Sequence, residues 1–142
     1  GAARIYAVDV GYGQLDQSLR RDQRVVVIER ANIRLLPREA IPEPIDLATL
    51  DLSFISLTIV LPKIQEFLAP GAAILALVKP QFEVGRDEVG KGGAVRDQAA
   101  RTRAIEGIRT FVQDQLKLEV AGVVDSSIAG PAGNLEALLV VL

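Results

Sequence analysis

Four short runs in this chain are apolar almost without a break: "RIYAVDV" (residues 4–10), "VVVIE" (25–29), "LATLD" (47–51) and "AILALVK" (73–79). A strand with one wet face alternates apolar and polar residues, and these runs do not alternate. They read as strands buried on both faces, which is the habit of parallel sheets. Helical patterns lie between them. "QLDQSLRRD" (14–22) offers about two turns. In "SLTIVLPKIQEFL" (56–68), Leu57, Val60, Leu61, Ile64, Phe67 and Leu68 share one helix face, and Ser56 is the expected N-cap. Pro62 either kinks this helix or marks its real first turn. A clearer helix runs from a capping Asp97 to Gln115, with Ala104, Ile105, Ile108, Phe111, Val112 and Leu116 on one side.

The end of the chain is organised differently. "LKLEVAGVVDS" (116–126) and "EALLVVL" (136–142) both read as strands, and only "SIAGPAGNL" separates them. A parallel crossover needs about a dozen residues or more, so these two strands are expected to be antiparallel neighbours. The expected fold class is α/β: an open sheet, mostly parallel, with a reversed last strand. A length of 142 residues suits one domain, and a hydrophobic fraction of 49% suits a real core. Without cysteine or histidine there are no disulfides, no thiol catalysis, no Ser–His pair and none of the usual zinc ligands, so no metal site is expected. The absence of cysteine fits a reducing compartment. No apolar run is long enough to span a membrane, and no signal sequence is visible. The opening "GAARIYAVDV" enters a strand almost at once and reads as a cut inside a domain.

Ligands of open α/β sheets bind beyond the carboxyl ends of the parallel strands. Asp9, Glu29, Asp51 and Lys79 fall at four such ends, and Glu136 begins the reversed strand, at the same rim. Strand ends are often polar merely because they reach water. Lys79 resists that reading, because Pro80 removes a backbone donor beside it and Phe82 adds apolar cover.

Five motifs carry a resemblance. "IYAVDVGYGQL" (5–15), "DLSFIS" (51–56), "VKPQFEVG" (78–85), "VGKGGAVRD" (89–97) and "GPAGNLE" (130–136) occur in the order seen in the TlyA-type, hemolysin A-like branch of the FtsJ-like RNA methyltransferases. The chain resembles that family essentially end to end. The resemblance implies a Rossmann-like class I methyltransferase sheet, S-adenosylmethionine as cofactor, and methyl transfer to a ribose 2′-hydroxyl of ribosomal RNA. It implies a Lys-Asp-Lys-Glu catalytic set, in which Asp51, Lys79 and Glu136 match the last three members. The first lysine has no match in this chain, nor does the Gly-rich cofactor loop; "GYGQL" follows the second strand and is a different loop. By the same resemblance residues 1–142 form a partial FtsJ-like domain that lacks the usual first, central strand. Two strand edges would then face a gap with unpaired backbone groups. Closure in another way, self-association of chains, or upstream residues would each fill it. The expectation is a chain catalytically incomplete as written.

A ribose hydroxyl holds its proton tightly, whereas the sulfonium of the methyl donor is already reactive. Catalysis needs alignment and help with the proton. Lys79 can serve as a neutral amine that accepts the proton or as an ammonium that stabilises the forming alkoxide, and the sequence leaves both open. Asp51 and Glu136 are expected to orient it. Asp9, Glu29, Arg30 and Asn32, with Asp51, are cofactor candidates, Asp9 for ribose hydroxyls and Glu29, Arg30 and Asn32 near the adenine. For RNA, the segment 79–109 holds seven Lys/Arg against five Asp/Glu in a chain of net charge −2, and Arg86, Lys91 and Arg96 are the candidate contacts. The expected partners are ribosomal RNA or ribosomal subunits in the cytoplasm, without a membrane. The competing readings are a non-catalytic Rossmann-like interaction fragment, a membrane-active hemolysin, and a dinucleotide-dependent dehydrogenase. The last lacks its Gly-rich fingerprint.

Overall fold

The computed structural model describes the backbone of residues 1–142 and every side chain except that of Pro131. It forms two compact units, Gly1–Pro44 and Ile45–Leu142.

In the first unit β1 (Ile5–Val8) and β2 (Val25–Ile28) pair in parallel, with Ile5 opposite Val25 and Val8 opposite Ile28. Between them α1 (Gln17–Arg20) is a single turn rather than the expected two. Asp16 caps it, accepting from the Ser18 amide at 2.8 Å. It stops early because Asp22 accepts from the Arg24 amide (2.9 Å) and its guanidinium, which turns the chain into β2. The proline-rich stretch 32–44 folds into two short 3₁₀ turns, Ile33–Leu35 and Arg38–Ala40.

The second unit holds β3 (Ile45–Leu50), α2 (Leu57–Gln65), β4 (Leu68–Val78), α3 (Pro80–Glu83), α4 (Gln98–Asp114), β5 (Val120–Asp125) and β6 (Ala137–Val141). The sheet order is β3-β4-β6-β5. β3 and β4 are parallel, and β6 runs antiparallel to both β4 and β5. The last two strands are therefore antiparallel neighbours, as expected. The sequence did not say that β6 would enter between β4 and β5. Strand pairing forms two sheets, one of two strands and one of four. Among the described residues β1 pairs only with β2, and β3 only with β4, so each keeps one unpaired edge.

The helix caps follow the sequence. Ser56 accepts from the Thr58 amide, and Asp97 from the Ala99 amide at 2.9 Å. Pro62 lies inside α2 rather than at its start, costing one intrahelical bond on a helix whose face is held by packing. β4 is longer than the apolar run that announces it. Its first residues contain Pro70 and Gly71, the latter at φ +78°, and the register against β3 slips there before regular pairing from Leu47 opposite Ala73.

Burial departs from the expectation of strands covered on both faces. In β4, Ile74, Ala76 and Val78 are buried, while Leu75 and Leu77 are only half-buried. β6 repeats this, with Ala137, Leu139 and Val141 buried and Leu138 and Val140 less so. The register sets buried residues opposite each other: Ile74–Val141, Ala76–Leu139 and Val78–Ala137. The physical reason is that α2 and α4 touch each other as well as β4, so they cover the same face. Val60, Leu61, Ile108 and Val112 close that core. Among the described residues no helix is long and apolar enough to cross a membrane.

Leu61 is 0% exposed at the centre of this layer. Leu61→Ala is expected to destabilise the protein by about 2–5 kcal/mol. The check is urea unfolding followed by circular dichroism; a loss well below that range would show that the layer can collapse around the missing atoms.

Candidate active site

Each candidate of the rim stands next to a strand end. Asp9 follows Val8 of β1, Glu29 follows Ile28 of β2, Asp51 follows Leu50 of β3, Lys79 follows Val78 of β4, and Glu136 precedes Ala137 of β6.

In the second unit the Lys79 Nζ lies 2.6 Å from Asp51 Oδ1 and donates to Ser53 Oγ at 3.3 Å. The lysine side chain is 12% exposed and the aspartate 75% exposed, so a largely buried lysine side chain ends on a carboxylate open to solvent. Lys79 also opens α3, whose first residue is the buried Pro80. The β4–β6 register, carried one step beyond Val78 opposite Ala137, sets Lys79 across from Glu136. The expectation that Glu136 shares the lysine's hydrogen bonds is not met in this geometry. Among the described residues Glu136 makes no ion pair with Lys79, and its Oε1 is buried with no hydrogen-bond partner although the residue is only 5% exposed. Such an atom is costly unless a donor reaches it.

What holds Glu136 in place was not legible as site chemistry. Gly130 packs against its carboxylate so closely that a methyl group there would overlap it. Arg101, buried on α4, donates from Nε to the Leu135 carbonyl at 2.9 Å and pairs with Asp125 at the end of β5. Asn134 accepts from the Val95 amide (2.8 Å) and donates to the Gly93 carbonyl (2.9 Å), so it latches the 90–96 loop onto the loop that carries Glu136.

A second seam joins the loop after β3 to the turn after β4. Glu83 accepts from Ser56 Oγ at 2.6 Å and from the Leu57 amide at 2.9 Å. The rings of Phe54 and Phe82 lie 5.1 Å apart. Phe54 is 91% exposed and sits at φ +63°, an uncommon conformation for a bulky residue. Ser53, Phe54 and Glu83 were missed as site residues because their partners are far off in sequence; an acid inside "PQFEV" was the only signal.

Of the seven cations between residues 79 and 109, Lys79, Arg101, Arg103 and Arg109 are ion-paired with Asp51, Asp125, Glu88 and Glu106. Arg86, Lys91 and Arg96 are exposed, and among the described residues their side chains have no ion pair or hydrogen bond. These are the three cations singled out as RNA contacts.

In the first unit Ala7, Val8, Asp9, Gln14, Leu15 and Glu29 line a cavity of about 180 Å³. Asp9 uses one oxygen for the Gly11 amide (2.7 Å). Glu29 is more committed: it accepts from the Gly13 amide (2.8 Å) and from the Arg20 guanidinium. That guanidinium holds its carboxyl below the usual range, with the Gly13 amide helping against partial burial. Glu29 thus shapes the 11–14 loop. Asn32 is likewise used, capping the 3₁₀ turn through the Arg34 amide at 3.0 Å, and Arg30 stacks over Tyr12 at 4.4 Å. A nucleoside ribose suits the cavity and the remaining Asp9 oxygen.

Residues 1–141 match the family described as FtsJ-like methyltransferase. The 16S/23S rRNA (cytidine-2′-O)-methyltransferase TlyA of Mycobacterium tuberculosis is 50% identical over 139 residues, which is 98% of this chain and 52% of that protein. The chain thus spans about half the length of the curated relatives it matches. Among solved structures, a protein named as a hemolysin from Lactococcus lactis is 40% identical, with a TM-score of 0.95 over 100% of this chain and 68% of that one. Aeropyrum pernix fibrillarin, solved with S-adenosyl-L-methionine natively bound, shares the fold at 19% identity and a TM-score of 0.62, covering 98% of this chain and 55% of that one.

Burial pushes the Glu83 carboxyl above its ordinary value of 4.5, against the opposing hydrogen bonds from Ser56 and Leu57. The native state therefore holds this proton more tightly than the unfolded chain does. The stability it contributes is full below that ordinary value and falls as pH rises through the higher folded value. The difference in unfolding midpoint between the wild type and Glu83→Gln, followed from about pH 4 to pH 8, is expected to show this decline in the wild type only. A constant difference would remove the assignment.

Proposed function

The chain belongs to the FtsJ-like methyltransferase family, and from that premise we propose that it carries the methyl-transfer centre of an S-adenosylmethionine-dependent enzyme acting on a ribose 2′-hydroxyl of ribosomal RNA in the cytoplasm. The observation that carries the reading is the pairing of Lys79 with Asp51 at adjacent strand ends. A non-catalytic module has no evident use for a lysine with a buried stem held by a carboxylate at such a place.

S-adenosylmethionine, when bound, supplies a methyl group on a strongly electrophilic sulfonium. Asp9 is the residue assigned to its ribose hydroxyls, by its place after β1 and its free carboxylate oxygen. Glu29 and Asn32 support this as organisers of the neighbouring loops, and Asp51 keeps the catalytic role alone. Of the two roles open to Lys79, the ion pair supports the charged one: a fixed cation beside the ribose oxygen, stabilising negative charge as it develops. In this reading the exposed Asp51 carboxylate accepts the hydroxyl proton in transit to water. Glu136, with its orphaned buried oxygen, accepts a hydrogen bond from a donor that arrives with the substrate or from a shifted Lys79. Phe54 offers an exposed ring on which a base stacks. The unpaired edge of β1 and that of β3 can each take a further strand, of this protein or of a second copy.

In the full-length protein, Lys79→Ala is expected to lower labelled-methyl transfer to ribosomal RNA by about 10²-fold or more while the fold is kept. Transfer at the wild-type rate by a folded variant would overturn the assignment. Arg86, Lys91 and Arg96 carry the phosphate contacts in this reading. Replacing all three with alanine is expected to flatten the plot of log affinity against log salt by a slope of about 2. An unchanged slope would move RNA binding elsewhere.

A further inference from the structure

β3 ends at Leu50 and α2 begins at Leu57, so the loop that carries Asp51 and Ser53 belongs to no helix or strand. Its backbone includes Phe54 in the left-handed region, a conformation that persists only where surroundings impose it. Something outside the loop must fix it. Its ties to the turn after β4 run in the same order along both segments. Asp51 and Ser53 meet Lys79, Phe54 meets Phe82, and Ser56 and Leu57 meet Glu83.

These ties differ in strength. The Lys79–Asp51 pair has one partner 75% exposed, and pairs open to water contribute little. Phe54 is nearly all in solvent. Glu83 is the exception. Both of its oxygens are used, by a hydroxyl at 2.6 Å and an amide at 2.9 Å, in a part-buried setting where hydrogen bonds are stronger than in water. One of its partners, Ser56, is itself the cap of α2, so the same contact sets where the helix begins. The reaction proposed above has no step for Glu83.

We infer that Glu83 is a positioning residue for methyl transfer: it holds the Asp51–Leu57 segment at a fixed distance from Lys79, so that the ammonium and the carboxylate face the substrate together. The inference rests on the reading of Lys79 and Asp51 given above. Glutamine preserves it, because its carbonyl accepts from the Leu57 amide while its NH₂ donates to Ser56 Oγ. Alanine removes both ties.

The test measures kcat and KM for ribosomal RNA, and S-adenosylmethionine affinity by calorimetry, in the full-length protein with Glu83→Ala, Glu83→Gln and Lys79→Ala side by side. The expected result is a fall in kcat on the order of 10²-fold for Glu83→Ala, with KM and cofactor affinity unchanged, and recovery of most of kcat in Glu83→Gln. A merely structural role would change stability without this split. If Glu83→Ala fails to fold, Glu83→Asp, which keeps the charge and shortens the reach, must show the same fall. Wild-type kcat in the alanine variant, or equal losses in the alanine and glutamine variants, overturns the inference while an inactive Lys79→Ala leaves the catalytic reading standing. An active Lys79→Ala overturns both.

Discussion

The backward run of β6 between β4 and β5 is the constraint on which the second unit depends. An antiparallel partner presents its beginning where its neighbours end. Glu136, the residue before β6, therefore reaches the same rim as Lys79, the residue after β4. The same pairing aligns the buried side chains of both strands on the face that α2 and α4 cover. Had β6 run parallel, its acidic start would lie at the opposite end of the sheet. The chemistry and the core are thus two consequences of one register.

Two loop seams complete the rim, and both rest on polar side chains with both ends occupied. Glu83 binds the loop of Asp51 to the turn of Lys79, and Asn134 binds the loop of Lys91 and Arg96 to the loop of Glu136. In each case a segment with exposed residues is joined to one that carries a candidate site residue. Arg101 reinforces the second seam from α4. Loops of this kind need such partners, because their backbone groups have no sheet or helix to pair with.

What the sequence made legible was whatever has a short period or a local cause. The apolar runs located the strands, and Ser56 and Asp97 were readable as caps because their partners lie two residues on. Strand direction alone set Asp9, Glu29, Asp51, Lys79 and Glu136 beside strand ends. Long-range pairing was not readable. Glu29 looked free for a ligand, yet Arg20 and the Gly13 amide engage it. Glu83 and Asn134 looked like loop residues, since their partners lie 26 to 41 residues away. Apolar continuity also overstated burial. Leu75, Leu77, Leu138 and Val140 are as apolar as their buried neighbours, but α2 and α4 both cover the other face.

The strand order also sets an order in time. Among the described residues β5 pairs with β6 alone and reaches β4 only through it, although β6 follows β5 in the chain. As the chain leaves the ribosome, β3, α2 and β4 can assemble early from nearby segments. The sheet pairing of β5 is complete only once β6 has been made and lies beside β4. Glu136, the residue before β6, comes into place with that strand. A half-made copy of this protein can therefore hold Lys79 and Asp51 together without being able to complete the rim.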